Sequence, residues 1–189
     1  MRKELRALIA AALLATPILA LPYSAAAQPQ DEKKQRSEAK YREKLSKEVR
    51  HQLVMLPWYS VFDNLAYQVD GDKVTLYGQV VRPTLKSDAE AAVKSIEGVA
   101  SVVNNIEVLP VSPMDDQLRR AVYRAIYGDP ALSRYSVQAV PSIHIIVKNG
   151  NVTLEGAVDN ETDKNIAGLR ANGVPNVFSV KNNLVVSSS

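Results

Sequence analysis

The chain contains no cysteine among its 189 residues. This absence excludes disulfides, thiolate metal sites, a cysteine nucleophile and a lipid-modified N-terminal cysteine. There are only two histidines, His51 and His144, and they stand far apart in the chain. Neither has a second ligand at the spacing of a metal site, so we expect surface or strand histidines and no bound metal.

Catalytic motifs are also missing. The sequence has no G-x-S-x-G nucleophile elbow and no G-x-G-x-x-G phosphate-binding pattern, and the S-x-x-K spacing at 37–40 has no S-D-N or K-T-G motif to accompany it. Acidic pairs occur at Asp70 and Asp72 and at Asp115 and Asp116, where they are typical of a turn and of a helix start. The alternating acids at 159–163 are better explained as helix caps than as a calcium loop. The sequence therefore predicts a protein that is not an enzyme and needs no cofactor.

The first 27 residues have the three parts of a secretory signal peptide. A basic start precedes an apolar run at 7–21, and Ala25 and Ala27 supply the small residues of a cleavage site. The alternative is an uncleaved membrane anchor, but the run is short for a span and Pro17 interrupts it. We expect cleavage after Ala27 and an exported, soluble protein, which is periplasmic in a Gram-negative cell and has no cysteine for a lipid anchor.

Removing the signal changes the charge of the protein. The full chain has a formal net charge of +3, and the signal holds three basic residues and one acidic residue. The mature chain is therefore close to neutral, at about +1, which argues against nucleic acid as a partner. Residues 28–44 predict a charged linker, yet acid–base pairs such as Glu43 and Lys47 favour a helix that begins near Ser37.

One segment of the chain is present twice. "DKVTLYGQV" at 72–80 returns as "GNVTLEGAV" at 150–158, and 74–108 aligns without a gap with 152–186. A constant offset of about 78 positions indicates an internal duplication. Each copy predicts a helix, a two-stranded hairpin, a second helix and a closing strand. In the second copy the hairpin turns at Asn149-Gly150, a pair suited to a type I′ turn.

These patterns predict an α+β fold of two tandem α-β-β-α-β units at 45–110 and 115–187. Each unit should be a small three-stranded mixed sheet with two helices on one face, in two layers. Gly78 and Gly156 lie inside strand patterns, where glycine allows close approach by a backbone or helix, or marks a bulge.

Local signals predict finer details of the two units. Thr84 is expected to cap the second helix of the first unit. Asn160 and Asp163 suit a capping box at the matching helix of the second unit. The pattern at 99–108 predicts one continuous closing strand of the first unit.

The repeated pattern resembles a known family. "NGNVTLEGAV", then a capped helix, then "NVFSVKNNLVV" is similar to the BON domain, and the resemblance covers 45–110 and 115–187. The first copy departs slightly, because "VDGDKVTL" has its glycine one place earlier. The resemblance implies an envelope location, no catalysis and binding of phospholipid surfaces. Two-domain relatives are linked to osmotic stress, outer-membrane integrity and chaperone-like help to exported proteins.

The helix predicted at 115–127 carries the first candidate site. Its expected exposed face gathers three arginines and two tyrosines, which suit an anionic phospholipid surface. These residues are Arg119, Arg120, Tyr123, Arg124 and Tyr127. The resemblance implies that this first helix of the second domain contacts lipid. The alternative is a solvated basic face whose tyrosines pack on the neighbouring unit.

The segment "LPWYSVF" at 56–62 is the second candidate. It holds Trp58, Tyr59 and Phe62, which could enter a membrane interface or hold an apolar client. Alternatively the loop folds over the end of the core or joins the two units. We therefore expect a peripheral binder of anionic phospholipid, linked to envelope integrity or osmotic stress. The alternative is a periplasmic holdase, or an adaptor that docks on envelope or exported proteins.

Overall fold

The computed structural model describes residues 29–138 and 140–187, so the signal peptide expected at 1–27 lies outside the described residues. The elements of the first unit are α1 (Pro29–Val54), β1 (Asn64–Asp70), β2 (Lys73–Val80), α2 (Pro83–Lys94), β3 (Ser101–Asn104) and β4 (Glu107–Val108). Those of the second unit are α3 (Pro113–Tyr127), a 3₁₀ turn (Ser133–Ser136), β5 (Ile143–Lys148), β6 (Asn151–Val158), α4 (Glu161–Asn172), β7 (Ser179–Asn182) and β8 (Val185–Val186). The predicted α+β fold of two tandem units is confirmed.

Each unit is built around its second strand. β2 pairs antiparallel with β1 and parallel with both β3 and β4. β6 pairs in the same way with β5, β7 and β8. On its parallel side, the central strand of each sheet thus pairs with two short strands in succession. The register is the same in both copies, because Val74 pairs with Val102 and Val152 pairs with Val180.

The single closing strand expected at 99–108 is wrong, because an asparagine interrupts it. Asn104 donates from Nδ2 to the Lys86 carbonyl of α2 (2.9 Å) and accepts at Oδ1 from the Ile106 amide (3.2 Å). Asn104 still pairs with Leu76 as the last residue of β3, but its side chain takes the Ile106 amide, so strand pairing stops at 105–106. Asn182 repeats this arrangement in the second unit by donating to the Lys164 carbonyl at 2.7 Å.

The helices cover one face of each sheet and close two apolar cores. In the first unit, Leu45, Val49 and Leu53 of α1 pack with the buried side chains of β2 and α2. α1 begins at Pro29 rather than near Ser37, and its side chains from 33 to 44 are exposed. Only the last three turns of α1 therefore belong to the core.

Two of the three local predictions about caps and turns agree with the structure. Asn160 accepts from the Asp163 amide at 2.8 Å and so caps α4, although the Asp163 carboxylate of the expected box accepts from Asn160 Nδ2 at 2.9 Å. Asn149 and Gly150 have φ of +52° and +77°, the signs that a type I′ turn requires. Thr84 is not a cap: α2 starts one residue earlier at Pro83, whose fixed φ suits the first helical position.

Gly78 and Gly156 occupy equivalent places in β2 and β6. Their φ values are +113° and +112°, and a Cβ at these positions would lie 2.0 Å from the carbonyl oxygens of Asn64 and Ser142. Those oxygens belong to the start of the antiparallel neighbour strand or to the residue just before it. Glycine is required at both positions because a side chain would meet backbone that cannot move without breaking the sheet.

We expect Gly78→Ala to lower the free energy of unfolding by about 2–4 kcal/mol, because it adds both a collision and a strained φ. Gly71→Ala is the matched control, since Gly71 has a φ of +61° and a Cβ added there would have nothing within 4 Å. That variant should cost only the strain of a positive φ, about 1–2 kcal/mol. Urea denaturation followed by circular dichroism measures both. Equal losses would contradict the role given to the close approach.

Candidate functional site

The structure divides the five candidate residues of α3 into buried and exposed groups. Arg119 was expected on the exposed face, and this is wrong: it is only 3% exposed. It lies four residues after buried Asp115 and three before buried Val122, so it belongs to the buried stripe of the helix. Its guanidinium donates from Nη2 to the Val147 carbonyl at 2.8 Å and from Nη1 to the Asp116 carboxylate.

The two tyrosines of α3 are structural. Tyr127, also expected to be exposed, is 8% exposed, and its hydroxyl donates to the Ile143 carbonyl at 2.5 Å. Burial raises the pKa of Tyr127 well above its usual value. Tyr123 is half-buried, with its ring centroid 4.8 Å from that of Tyr127 and 6.2 Å from that of Phe62 in the first unit. The sequence also left open that these tyrosines pack on the neighbouring unit, and Tyr123 does so through Phe62.

Arg120 and Arg124 remain as the exposed cations of α3. They stand one helical turn apart, and within the described residues neither forms an ion pair. Both line a groove of about 410 Å³ between α3 and the loop that follows α4, and this groove also includes Met114. A neighbouring groove of about 390 Å³ joins Arg124 to Leu169. With Met114 57% exposed and Leu169 72% exposed, the helical layer presents cations beside apolar side chains.

The loop at 57–63 connects the two units, as one of its sequence interpretations proposed. Tyr59 stacks on His144 of β5 with 5.5 Å between ring centroids. Val61 is buried in the core of the second unit, and its carbonyl accepts from the Ile145 amide at 2.8 Å. Of the three aromatic candidates, only Trp58 is exposed to solvent, with a relative accessibility of 70%.

A buried carboxylate holds this loop in shape. Asp63 accepts from the amide and hydroxyl of Ser60, at 3.1 and 2.7 Å, and from the Val81 amide at 2.8 Å. Sequence reasoning passed over Asp63 and Val61. The available signal for Asp63 was the Ser-x-x-Asp spacing, which is typical of a side-chain-closed turn, whereas Val61 carried no local signal of its own.

The loop and α3 together form a cleft of about 480 Å³ between the units. Its charged lining residues are Asp63, Arg82, Asp116, Arg119 and Arg120, and Trp58 stands at its edge. The guanidinium carbon of Arg82 lies 4.8 Å from the Trp58 ring centroid, a cation–π contact. The two sites proposed separately from the sequence therefore adjoin in space.

One polar atom of a residue that lines the cleft lacks a partner. Arg119 Nε is buried and has no hydrogen-bond acceptor among the described residues. A buried donor left unpaired typically costs about 1–3 kcal/mol. Such groups occur in native proteins at positions where a ligand or water completes the bonding.

Residues 42–110 and 114–188 match the BON domain. This chain belongs to the BON domain family. The family is associated with phospholipid binding and with envelope and osmotic-stress proteins, which are typically periplasmic and generally not enzymes. The resemblance drawn from the repeated strands is thus confirmed for both copies.

Among solved structures, the chain is similar to CdsD, a structural protein of the type III secretion system of Chlamydia trachomatis. The two share 15% identity over 77% of this chain and 93% of that one, with a TM-score of 0.29. The C-terminal domain of CdsD gives 14% identity, coverage of 74% and 96%, and a TM-score of 0.26. Likenesses this low carry no argument about function. No curated protein matches the chain.

Two further observations concern membranes and metals. No helix within residues 29–138 and 140–187 combines the length and the apolar character that a bilayer crossing needs. In the same part of the chain, no three histidine or acidic side chains come close enough together to share a metal ion.

The contact between Tyr59 and His144 predicts a pH dependence. Burial lowers the pKa of His144 below its usual 6.5, although nearby backbone carbonyls of Asp63 and Ser60 partly oppose the shift. The unfolded chain therefore takes up a proton before the folded one as pH falls. The free energy of unfolding should decline below about pH 6.5, by at most about 1.4 kcal/mol per pH unit from this group.

Urea unfolding at pH 7, 6 and 5 measures that decline. His144→Phe should flatten it while keeping an aromatic ring against Tyr59. His51→Phe is the control, because His51 is exposed at the end of α1 and its loss should leave the slope unchanged. The explanation fails if both variants keep the slope of the parent protein.

Proposed function

We propose that this protein is an exported, non-enzymatic envelope protein that binds anionic phospholipid peripherally through the helical layer of its second unit. The observation that carries the proposal is the pair of exposed arginines, Arg120 and Arg124, next to exposed apolar side chains. Family membership supports it, since the BON family is associated with phospholipid binding.

The chemistry of this surface suits a headgroup layer. A guanidinium can bond two phosphate oxygens at once and is less strongly hydrated than an ammonium group. Each cation near an anionic leaflet contributes about 1 kcal/mol of attraction at moderate salt. Met114 and Leu169 can enter the boundary between headgroups and acyl chains, which adds a contribution that salt does not screen.

A third arginine on this side contributes less. Arg170 of α4 lines the same groove as Arg124, but its Nε donates to the Asp129 carboxylate at 2.7 Å. That carboxylate also accepts from the Ala131 amide at 2.8 Å. Because Arg170 is already neutralised locally, the attraction for phosphate rests on Arg120 and Arg124.

The holdase alternative has weaker support. It relies on the aromatic loop and on exposed apolar sheet surface. Within the described residues, the large apolar side chains that the strands expose are only Tyr77, Val103 and Val185. In the loop, Tyr59 and Phe62 are half-buried against the second unit, so only the ring of Trp58 is open to a client. One exposed ring offers little apolar area for holding an unfolded chain. Phospholipid contact is therefore the function that the geometry favours.

Vesicle flotation tests the proposal on the chain from Gln28 to Ser189. We expect binding to vesicles of phosphatidylglycerol and phosphatidylcholine, weak binding to phosphatidylcholine alone, and loss of most binding at high salt. Arg120→Glu/Arg124→Glu should reduce the affinity at least about tenfold, because two attractive charges become repulsive.

The matched control reverses two arginines elsewhere. Arg36 and Arg42 are exposed on the part of α1 that lies outside the core, so Arg36→Glu/Arg42→Glu produces the same change in net charge. That variant should keep most of its vesicle binding. An equal loss in both double variants would reduce the effect to net charge, and absence of binding in the parent protein would reject the proposal.

A further inference from the structure

We propose that the cleft between the two units binds a single phosphate ester group, held by Arg82 and Arg120 and anchored by the buried Arg119. This cleft is distinct from the groove that carries Arg124 and Met114, and the two meet at Arg120. Binding here would be stoichiometric and saturable, unlike the adhesion of an extended basic surface.

The charges of the cleft favour an anion. Three guanidiniums face two carboxylates, and both carboxylates already have donors. Asp63 accepts three hydrogen bonds from Ser60 and Val81, and Asp116 pairs with Arg119. Arg82 and Arg120 are exposed and form no ion pair within the described residues. They therefore provide the two cations available to an incoming ligand.

The contact with Trp58 holds the guanidinium of Arg82 in place before a ligand binds. The guanidinium carbon lies over the indole ring, a contact that uses the charge of the group and not its N–H groups, which can still donate. The indole also limits the rotamers of a long side chain that would otherwise move freely. Less side-chain entropy is then lost when an anion is bound, which raises affinity.

Arg119 supplies the second, independent indication. Its side chain is more than nine-tenths buried, it lines the cleft, and its Nε–H has no acceptor among the described residues. An oxyanion in the cleft would give this donor a partner. A phosphate group, with several acceptor oxygens, can serve Nε of Arg119 together with the N–H groups of Arg82 and Arg120.

The size and edge of the cleft suit an ester rather than a bare ion. A volume of about 480 Å³ exceeds the needs of one phosphate and falls within the range of small-molecule sites. The aromatic edge formed by Trp58 and Tyr59 offers contact to a carbon-bearing substituent. The same chemistry fits a soluble phosphate monoester such as glycerol phosphate and the glycerol phosphate headgroup of a phospholipid.

Trp58 is the only tryptophan in the chain, so its fluorescence reports on the cleft directly. We would titrate the chain from Gln28 to Ser189 with glycerol 3-phosphate and with short-chain phosphatidylglycerol kept below its micelle concentration. Glycerol and sodium acetate, at matched ionic strength, are the negative controls. Isothermal titration calorimetry runs in parallel, because replacing Arg82 itself alters the surroundings of the indole.

Arg82→Gln and Arg120→Gln are the test variants, and Arg42→Gln, on the exposed part of α1, is the matched control. All three residues are exposed, so the fold should survive each change. We expect one saturable site per chain, at least about tenfold weaker in both test variants and nearly unchanged in the control. Saturation by the short-chain lipid alone would assign the site to a headgroup, and saturation by glycerol 3-phosphate alone would assign it to a soluble ester.

Two results would overturn the cleft site. One is the absence of saturable heat or fluorescence change with either ester up to millimolar concentrations. The other is an equal loss in Arg42→Gln, which would mean that the anion follows general surface charge. Neither result affects the vesicle test of Arg124 and its groove, so failure of the cleft is distinguishable from failure of membrane contact.

Discussion

The hydrogen bond from the Ile145 amide to the Val61 carbonyl, with Val61 buried beside it, fixes the relation between the two units. Through it, a loop of the first unit covers part of the outer edge of β5 and fills space in the second core. A sheet edge left open would expose unpaired amides and carbonyls. An ion pair between Glu107 and Lys148 adds little, because both side chains are largely solvated.

The surfaces that bear on function follow from this docking. Seating the loop brings Trp58 and Arg82 beside α3, which creates the cleft. It also covers Tyr123 with Phe62, so the aromatic residues of α3 are used for packing. What remains on the solvent side of α3 is cationic, and the neighbouring apolar side chains come from its first turn and from α4. The division between packing and binding residues on one helix is thus set by the neighbouring unit.

The sequence predicted the repeat, the hairpin strands, the order of elements and the type I′ turn, since all of these depend on local pattern. It misplaced Arg119 and Tyr127, because the width of a buried helical stripe depends on what covers it. Arg119 reaches the Val147 carbonyl and Tyr127 the Ile143 carbonyl, partners that only the folded chain defines. The broken closing strands were missed for a similar reason: Asn104 acts through the Lys86 carbonyl on a different element. The cleft was beyond sequence reasoning because its walls come from both units.

The burial of Val61 in the second unit also affects how the chain folds while it is being synthesised. The chain emerges from its N-terminus, so the loop at 57–63 is complete well before β5, the strand that receives it. Until then Val61 and Phe62 lack the apolar surroundings that the second unit supplies, and the nascent first unit exposes an apolar surface that can associate with other chains. If the chain were cut between the units, the first fragment would keep this loop exposed, and the core of the second fragment would lack the Val61 side chain. The duplicated gene segment thus encodes two copies that are alike in outline but have become mutually dependent in folding.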